Sequence, residues 1–165
     1  MATWAEAFRL QAASDLAAYE LPVRSALPEC QRLHYLQMWL EKLCKAYIWA
    51  GEINADELKK KHNVVDHALP MLILNNWRFL GFQKAPELGP LRKLCREIDL
   101  LHPQIDGDGR RPENAEYPWA GASGTIEIPA RWKFSITGRL HPNPGRALLK
   151  AAKSLTNNPP VNLGQ

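Results

Sequence analysis

Residues 33–50, LHYLQMWLEKLCKAYIWA, restrict the fold more than any other stretch of the chain. Leu33, Leu36, Leu40, Leu43 and Tyr47 recur at intervals of three, four, three and four. That is the period of one helix face turned to a core. Tyr35, Trp39 and Ala46 carry apolar surface round a second side. The stretch therefore predicts a central helix with neighbours on more than one face. Its polar residues are confined to a narrow strip of His34, Gln37, Glu41 and Lys45, with Lys42 beside it. Two readings of the strip stay open. It is the solvated side of a core helix, the default for charged faces, or it lines a groove and is a candidate site. Glu41 and Lys45 stand four apart in the favourable order, which adds only about 0.2–0.5 kcal/mol on an exposed face.

The flanking sequence supplies further helices. Thr3 and Glu6 have capping-box spacing, so a first helix is expected from Thr3, with Phe8, Ala12, Leu16 and Tyr19 on its core side and Pro22 at its end. Pro28 suits the first turn of the central helix, and Gly51 suits its C-terminal cap. Asn54 and Glu57 give another start signal, for a short, basic, exposed helical piece over 55–61. His62 then opens a third helix, with Val64, Val65, Ala68, Leu69, Leu72 and Ile73 turned inward and Pro70 kinking or dividing it. Leu91, Leu94, Cys95, Ile98 and Leu101 mark a fourth helix that Pro103 stops.

Over residues 104–143 the grammar changes. Turn formers dominate and no helical period survives. Thr125 to Ile128 alternates weakly and predicts one short strand, with Trp132 to Ile136 as its partner. A loop of this length inside a compact domain is often functional. Tyr117, Trp119 and Trp132 make this arm a candidate partner-binding surface, and they also offer apolar area for docking back onto the helices. Ala147, Leu148, Ala151, Ala152 and Leu155 then give a last helix over 144–156, followed by a frayed tail at 157–165. The expected fold is all-α: a single domain whose helical core spans 1–103, forming a four- to five-helix bundle with a proline-, glycine- and aromatic-rich arm and a short β-hairpin.

A length of 165 residues fits one domain with a core of its own. A net charge of +4 permits a nucleic-acid partner without requiring one; Lys59, Lys60 and Lys61 form the densest basic cluster. Cys30, Cys44 and Cys95 are odd in number and widely spaced, so they read as reduced, buried thiols with no zinc-ligand spacing. No charged-then-apolar leader and no long apolar run is present, which points to a cytoplasmic chain with no membrane partner.

The string HYLQMWLEKLCKAYIWAG, a basic turn and then KKHNVVDHALPML resemble the HEPN family, the higher eukaryotes and prokaryotes nucleotide-binding domains. The positions that carry the resemblance are Tyr35, Gln37, Glu41, Lys42, Lys45, Ala46 and His62, and it covers roughly residues 5 to 80. The resemblance implies an all-α bundle, often a dimer. It implies metal-independent ribonucleases of bacterial toxin–antitoxin, CRISPR and antiviral systems. It also implies non-catalytic relatives that bind a nucleotidyltransferase or nucleic acid, so RNA and a protein partner such as an antitoxin are the expected partners, with no cofactor. Active members carry an arginine, four to six residues, then a histidine, matched here by Arg96 and His102. Arginine holds phosphate oxygens bidentately, and histidine moves protons near neutral pH. Glu97 stands where the active pattern favours asparagine, aspartate or histidine, and the pair closes a helix rather than opening one. The alternative is a surface charge cluster of Arg96 with Glu97 or Asp99, and a helix-end histidine.

Other constellations are weaker. His34, Glu41, Lys45 and His62 form a candidate ligand- or RNA-binding pocket, or else an interior hydrogen-bond network. His62 and His67 are five apart, which is not the spacing of a helical zinc site, so no metal is expected. Asp106 and Asp108 suggest a calcium loop but lack the remaining ligands. Arg139 and His141 are too close together for the family motif.

Overall fold

A computed structural model describes residues 3–21, 27–49, 57–58, 60–105, 113–121 and 123–159. The expected Gly51 cap, the Asn54 start signal, Asp106, Asp108 and the tail from 160 lie outside the described residues. Six helices are present among the described residues: α1 Trp4–Tyr19, α2 Glu29–Ile48, α3 Val65–Asn75, α4 Leu88–Asp99, the short α5 Thr137–Leu140 and α6 Gly145–Asn157. A two-stranded antiparallel hairpin, β1 Trp119–Ala120 and β2 Ile126–Glu127, precedes a 3-10 turn at Pro129–Arg131. The fold is thus a mostly α bundle with a short hairpin, as expected.

The central position of α2 follows from its composition. Leu36, Leu40 and Leu43 are wholly buried, Trp39 and Leu33 nearly so. The helix packs against α1, α3, α4, α6 and the 3-10 turn. Trp39 stacks on Tyr19 of α1 at 5.9 Å and donates its indole N–H to Thr156 Oγ1 of α6 at 2.9 Å. The Tyr47 hydroxyl donates to the Leu155 carbonyl at 2.9 Å. The α1 cap forms as its spacing implies, with the Glu6 amide donating to Thr3 Oγ1 at 3.2 Å.

Five local expectations are corrected. The strip on α2 is not solvated: Gln37, Glu41 and Lys45 are 1%, 3% and 3% exposed. It is covered by residues distant in sequence, which the helical period does not reveal. The third helix begins at Val65 rather than His62, because the Asp99 carboxylate takes up the amides of Val65 and Asp66 and so sets the helix start. Pro70 lies within α3 without dividing it. The partner of β2 is Trp119–Ala120, not Trp132 to Ile136. Gly124, at φ +75°, makes the tight turn that returns the chain directly, with the Gly121 amide donating to the Thr125 carbonyl at 2.8 Å. In the basic piece before His62, Leu58 is fully buried rather than exposed.

The arm docks on the bundle. Ala115, Phe134, Ile136 and Leu140 join the core cluster, and the Ala115 amide donates to the Leu101 carbonyl at 2.9 Å. Gly145 closes the last corner. A Cβ there would sit 2.3 Å from the Arg139 carbonyl oxygen, which leaves no room for a side chain where α5 meets α6.

Candidate active site

Glu41 is the centre of the buried strip. Gln37 Nε2 donates to its Oε2 at 2.7 Å and Lys45 Nζ donates to its Oε1 at 2.6 Å. Residues 37, 41 and 45 are successive turns of one helix face, so α2 alone assembles this triad. A buried ion pair needs such hydrogen bonds to offset the loss of water. From outside the helix, His62 brings Nδ1 to 3.4 Å from Glu41 Oε2. This contact favours the tautomer with the proton on Nδ1, leaving the Nε2 lone pair of His62 free to accept a proton.

His102 meets His62 from the other side. The two imidazole rings stack with centroids 4.0 Å apart and planes 13° from parallel. The Gln104 amide donates to His102 Nδ1 at 3.2 Å, so the neutral ring carries its proton on Nε2. Burial holds His102 below the ordinary histidine range, and His62 adds to the effect; Glu116, Glu41 and His34 act more weakly. With both rings neutral, the pair offers a proton acceptor at His62 Nε2 beside a proton donor at His102 Nε2.

A second carboxylate reaches the same face of α2. His34 Nδ1 lies 3.3 Å from Glu116 Oε1. Its hydrogen bond with His34 holds the Glu116 carboxyl below the usual carboxylate range, against the opposing effect of burial. Buried Asn114 positions Glu116: its Oδ1 accepts from the amides of Glu116 and Tyr117 at 3.0 and 2.7 Å. That closes a turn around the side chain and aims Glu116 at α2.

Of the pocket residues expected from sequence, Glu41, Lys45 and His62 come together in direct contact, and His34 lies along the same face with Glu116. Arg96 and His102 have different neighbours. Arg96 Nη1 lies 3.8 Å from Asp66 Oδ2, while His102 joins His62. Of the arm aromatics, Trp119 is 3% exposed and packs edge-on against Trp132 at 5.2 Å, whereas Tyr117 is 57% exposed. Glu116 and Asp66 carry no signal in the sequence, and Asp99, expected in a surface cluster with Arg96, is instead wholly buried. Nothing local marks the first as facing α2; the Asp99 signal is an acid near a helix end, ordinarily unremarkable. Among the described residues, no group of three or more His, Cys, Asp or Glu is placed to hold a metal ion, and no helix is long and apolar enough to cross a membrane.

Asp99 holds the segment that delivers His62. Its Oδ1 and Oδ2 accept from the Val65 and Asp66 amides at 3.2 and 2.8 Å, with the residue wholly buried. Burial pushes its carboxyl up to about 7, against those two amides. The folded chain therefore keeps a proton that the unfolded chain releases above pH 4 or so. This contribution to stability is full below the unfolded pKa and is lost as pH rises towards 7. The slope is at most about 1.4 kcal/mol per pH unit. Urea unfolding between pH 4.5 and 7.5 is expected to show that decline in the wild type and a flatter profile in Asp99→Asn. Identical slopes count against the assignment.

No protein-family model, no curated protein and no solved structure matches this chain.

Proposed function

We propose that the chain is a metal-independent endoribonuclease of HEPN-like type, acting in a bacterial defence or toxin–antitoxin setting as that resemblance implies. The observation that carries the reading is the Glu41–His62–His102 arrangement: a buried carboxylate against one imidazole and a second imidazole stacked on it. RNA supplies its own nucleophile, the 2′-hydroxyl. His62 Nε2 takes that proton, and Glu41 holds the ring and stabilises the imidazolium that forms. The hydroxyl oxygen then bonds to phosphorus as the bond to the 5′-oxygen of the next nucleotide breaks, giving a 2′,3′-cyclic phosphate and a 5′-oxygen that takes its proton from solvent water. His102 Nε2–H donates to the phosphate as charge builds. Arg96 sits in a loose pair with Asp66, and at that exposure a phosphate oxygen can replace the carboxylate.

The test is RNA cleavage in the presence of a chelator. His62→Ala and His102→Ala are each expected to lose about a hundredfold or more, as removal of a positioned acid or base does. A wild type without activity, or variants as active as wild type in folded protein, sinks the reading.

The alternative is a non-catalytic subunit that binds a protein partner, such as an antitoxin or a nucleotidyltransferase, or nucleic acid. Ile126 is 75% exposed and Ile128 40%, and both alternate away from the side of the hairpin that buries Trp119. With Tyr117 they give the arm an apolar outer surface. An inactive wild type that loses a partner when Ile126 and Ile128 become aspartate favours this reading.

A further inference from the structure

The first turn of α2 borders a cleft of about 380 Å3 that α1, α5 and α6 complete. Its size is within the range of small-molecule sites. None of its residues belongs to the histidine site. Arg32 lines it, and the Arg32 Nε–H is buried without an acceptor. Buried donors are almost always paired, so this atom calls for a partner. The guanidinium carbon lies 5.7 Å from the centre of the Tyr19 ring, and no carboxylate pairs with it among the described residues. Glu29 is one turn away on the same helix, but its carboxylate accepts from the Thr137 hydroxyl instead. The remaining walls are largely apolar, supplied by Leu27, Leu33, Leu140 and Leu149, with His141 exposed beside them.

We propose that this cleft binds a small organic carboxylate with an apolar body. The planar donors of Arg32 match a carboxylate edge, and Tyr19 backs the guanidinium while its ring and the leucines cover the body of the ligand. Glu29 decides the charge. A dianion such as a phosphate monoester meets its repulsion at close range, whereas a monoanion meets less of it and gains the whole of Arg32.

The experiment is a nitrogen-15 NMR titration of the full chain, following the Arg32 Nε–H, with phenylacetate, 2-phenylethanol, phenyl phosphate and inorganic phosphate as probes. Phenylacetate is expected to shift that signal saturably, and 2-phenylethanol to bind about tenfold more weakly or worse, the loss of a charge-assisted pair. Arg32→Met should reproduce that loss, and Arg32→Lys should lose less. No saturable shift with phenylacetate, or equal binding of the alcohol, overturns the site. Tighter binding of phenyl phosphate or inorganic phosphate overturns the carboxylate assignment. The comparison among probes needs only the wild type, so it decides even where Arg32→Met fails to fold.

Discussion

Lys45→Met is expected to lower the free energy of unfolding by about 3–5 kcal/mol, the usual cost of removing one partner of a buried pair. Methionine keeps the length and apolar stem of lysine, so packing is nearly conserved and the charge is what goes. Glu41, 3% exposed, is then left with Gln37 Nε2 at 2.7 Å and the more distant His62 Nδ1 at 3.4 Å. Neither replaces the ammonium bonded at 2.6 Å. The double variant Glu41→Gln, Lys45→Met removes both charges and should recover most of the loss, because replacing a buried pair by neutral groups is often close to neutral. Chemical denaturation of the wild type, both single variants and the double variant measures this directly. If Lys45→Met stays within about 0.5 kcal/mol of wild type, the pair behaves like a solvated one and the buried strip loses its electrostatic role.

Trp39→Ala is expected to cost about as much, 3–5 kcal/mol, for a different reason. The side chain is 1% exposed and lies between Tyr19 of α1 and Thr156 of α6. Truncation leaves a cavity at the junction of three helices and orphans one bond of the Thr156 hydroxyl. That hydroxyl also donates to the Ala152 carbonyl at 2.8 Å, so it stays partly satisfied. Trp39→Phe separates the contributions. It keeps most of the ring area and loses the indole N–H, a bond of about 1 kcal/mol. Thermal and urea unfolding should therefore place the phenylalanine variant much nearer the wild type than the alanine variant. A phenylalanine variant as unstable as alanine contradicts a packing-dominated role.

The parts of the fold that local spacing encodes were legible in the chain. The three-four rhythm of Leu33, Leu36, Leu40 and Leu43 marks the core face of α2, and Thr3 with Glu6 marks the start of α1. The site was legible only in outline. That Glu41, Lys45 and His62 belong together followed from one helix face and one following histidine. That the strip is buried did not, because the residues that meet it, His62 at Glu41 and Glu116 at His34, come from elsewhere in the chain. His102 stacks on His62 and Arg96 pairs with Asp66, contacts that the arginine–histidine spacing does not specify. The hairpin partner differs from the one expected for a similar reason. β-propensity picks out Trp132 to Ile136, but the glycine turn at 121–124 fixes the register.

The last helix touches each of α1 to α4 and gives the acceptors for both Trp39 and Tyr47. During synthesis, the α1–α2 and α3–α4 pairs can therefore each zip up while the nascent chain is still short. Those two acceptors join the fold only when residues 155 and 156 have left the ribosome. A message cut short of that point yields a product whose central tryptophan and tyrosine lack the acceptors that α6 supplies.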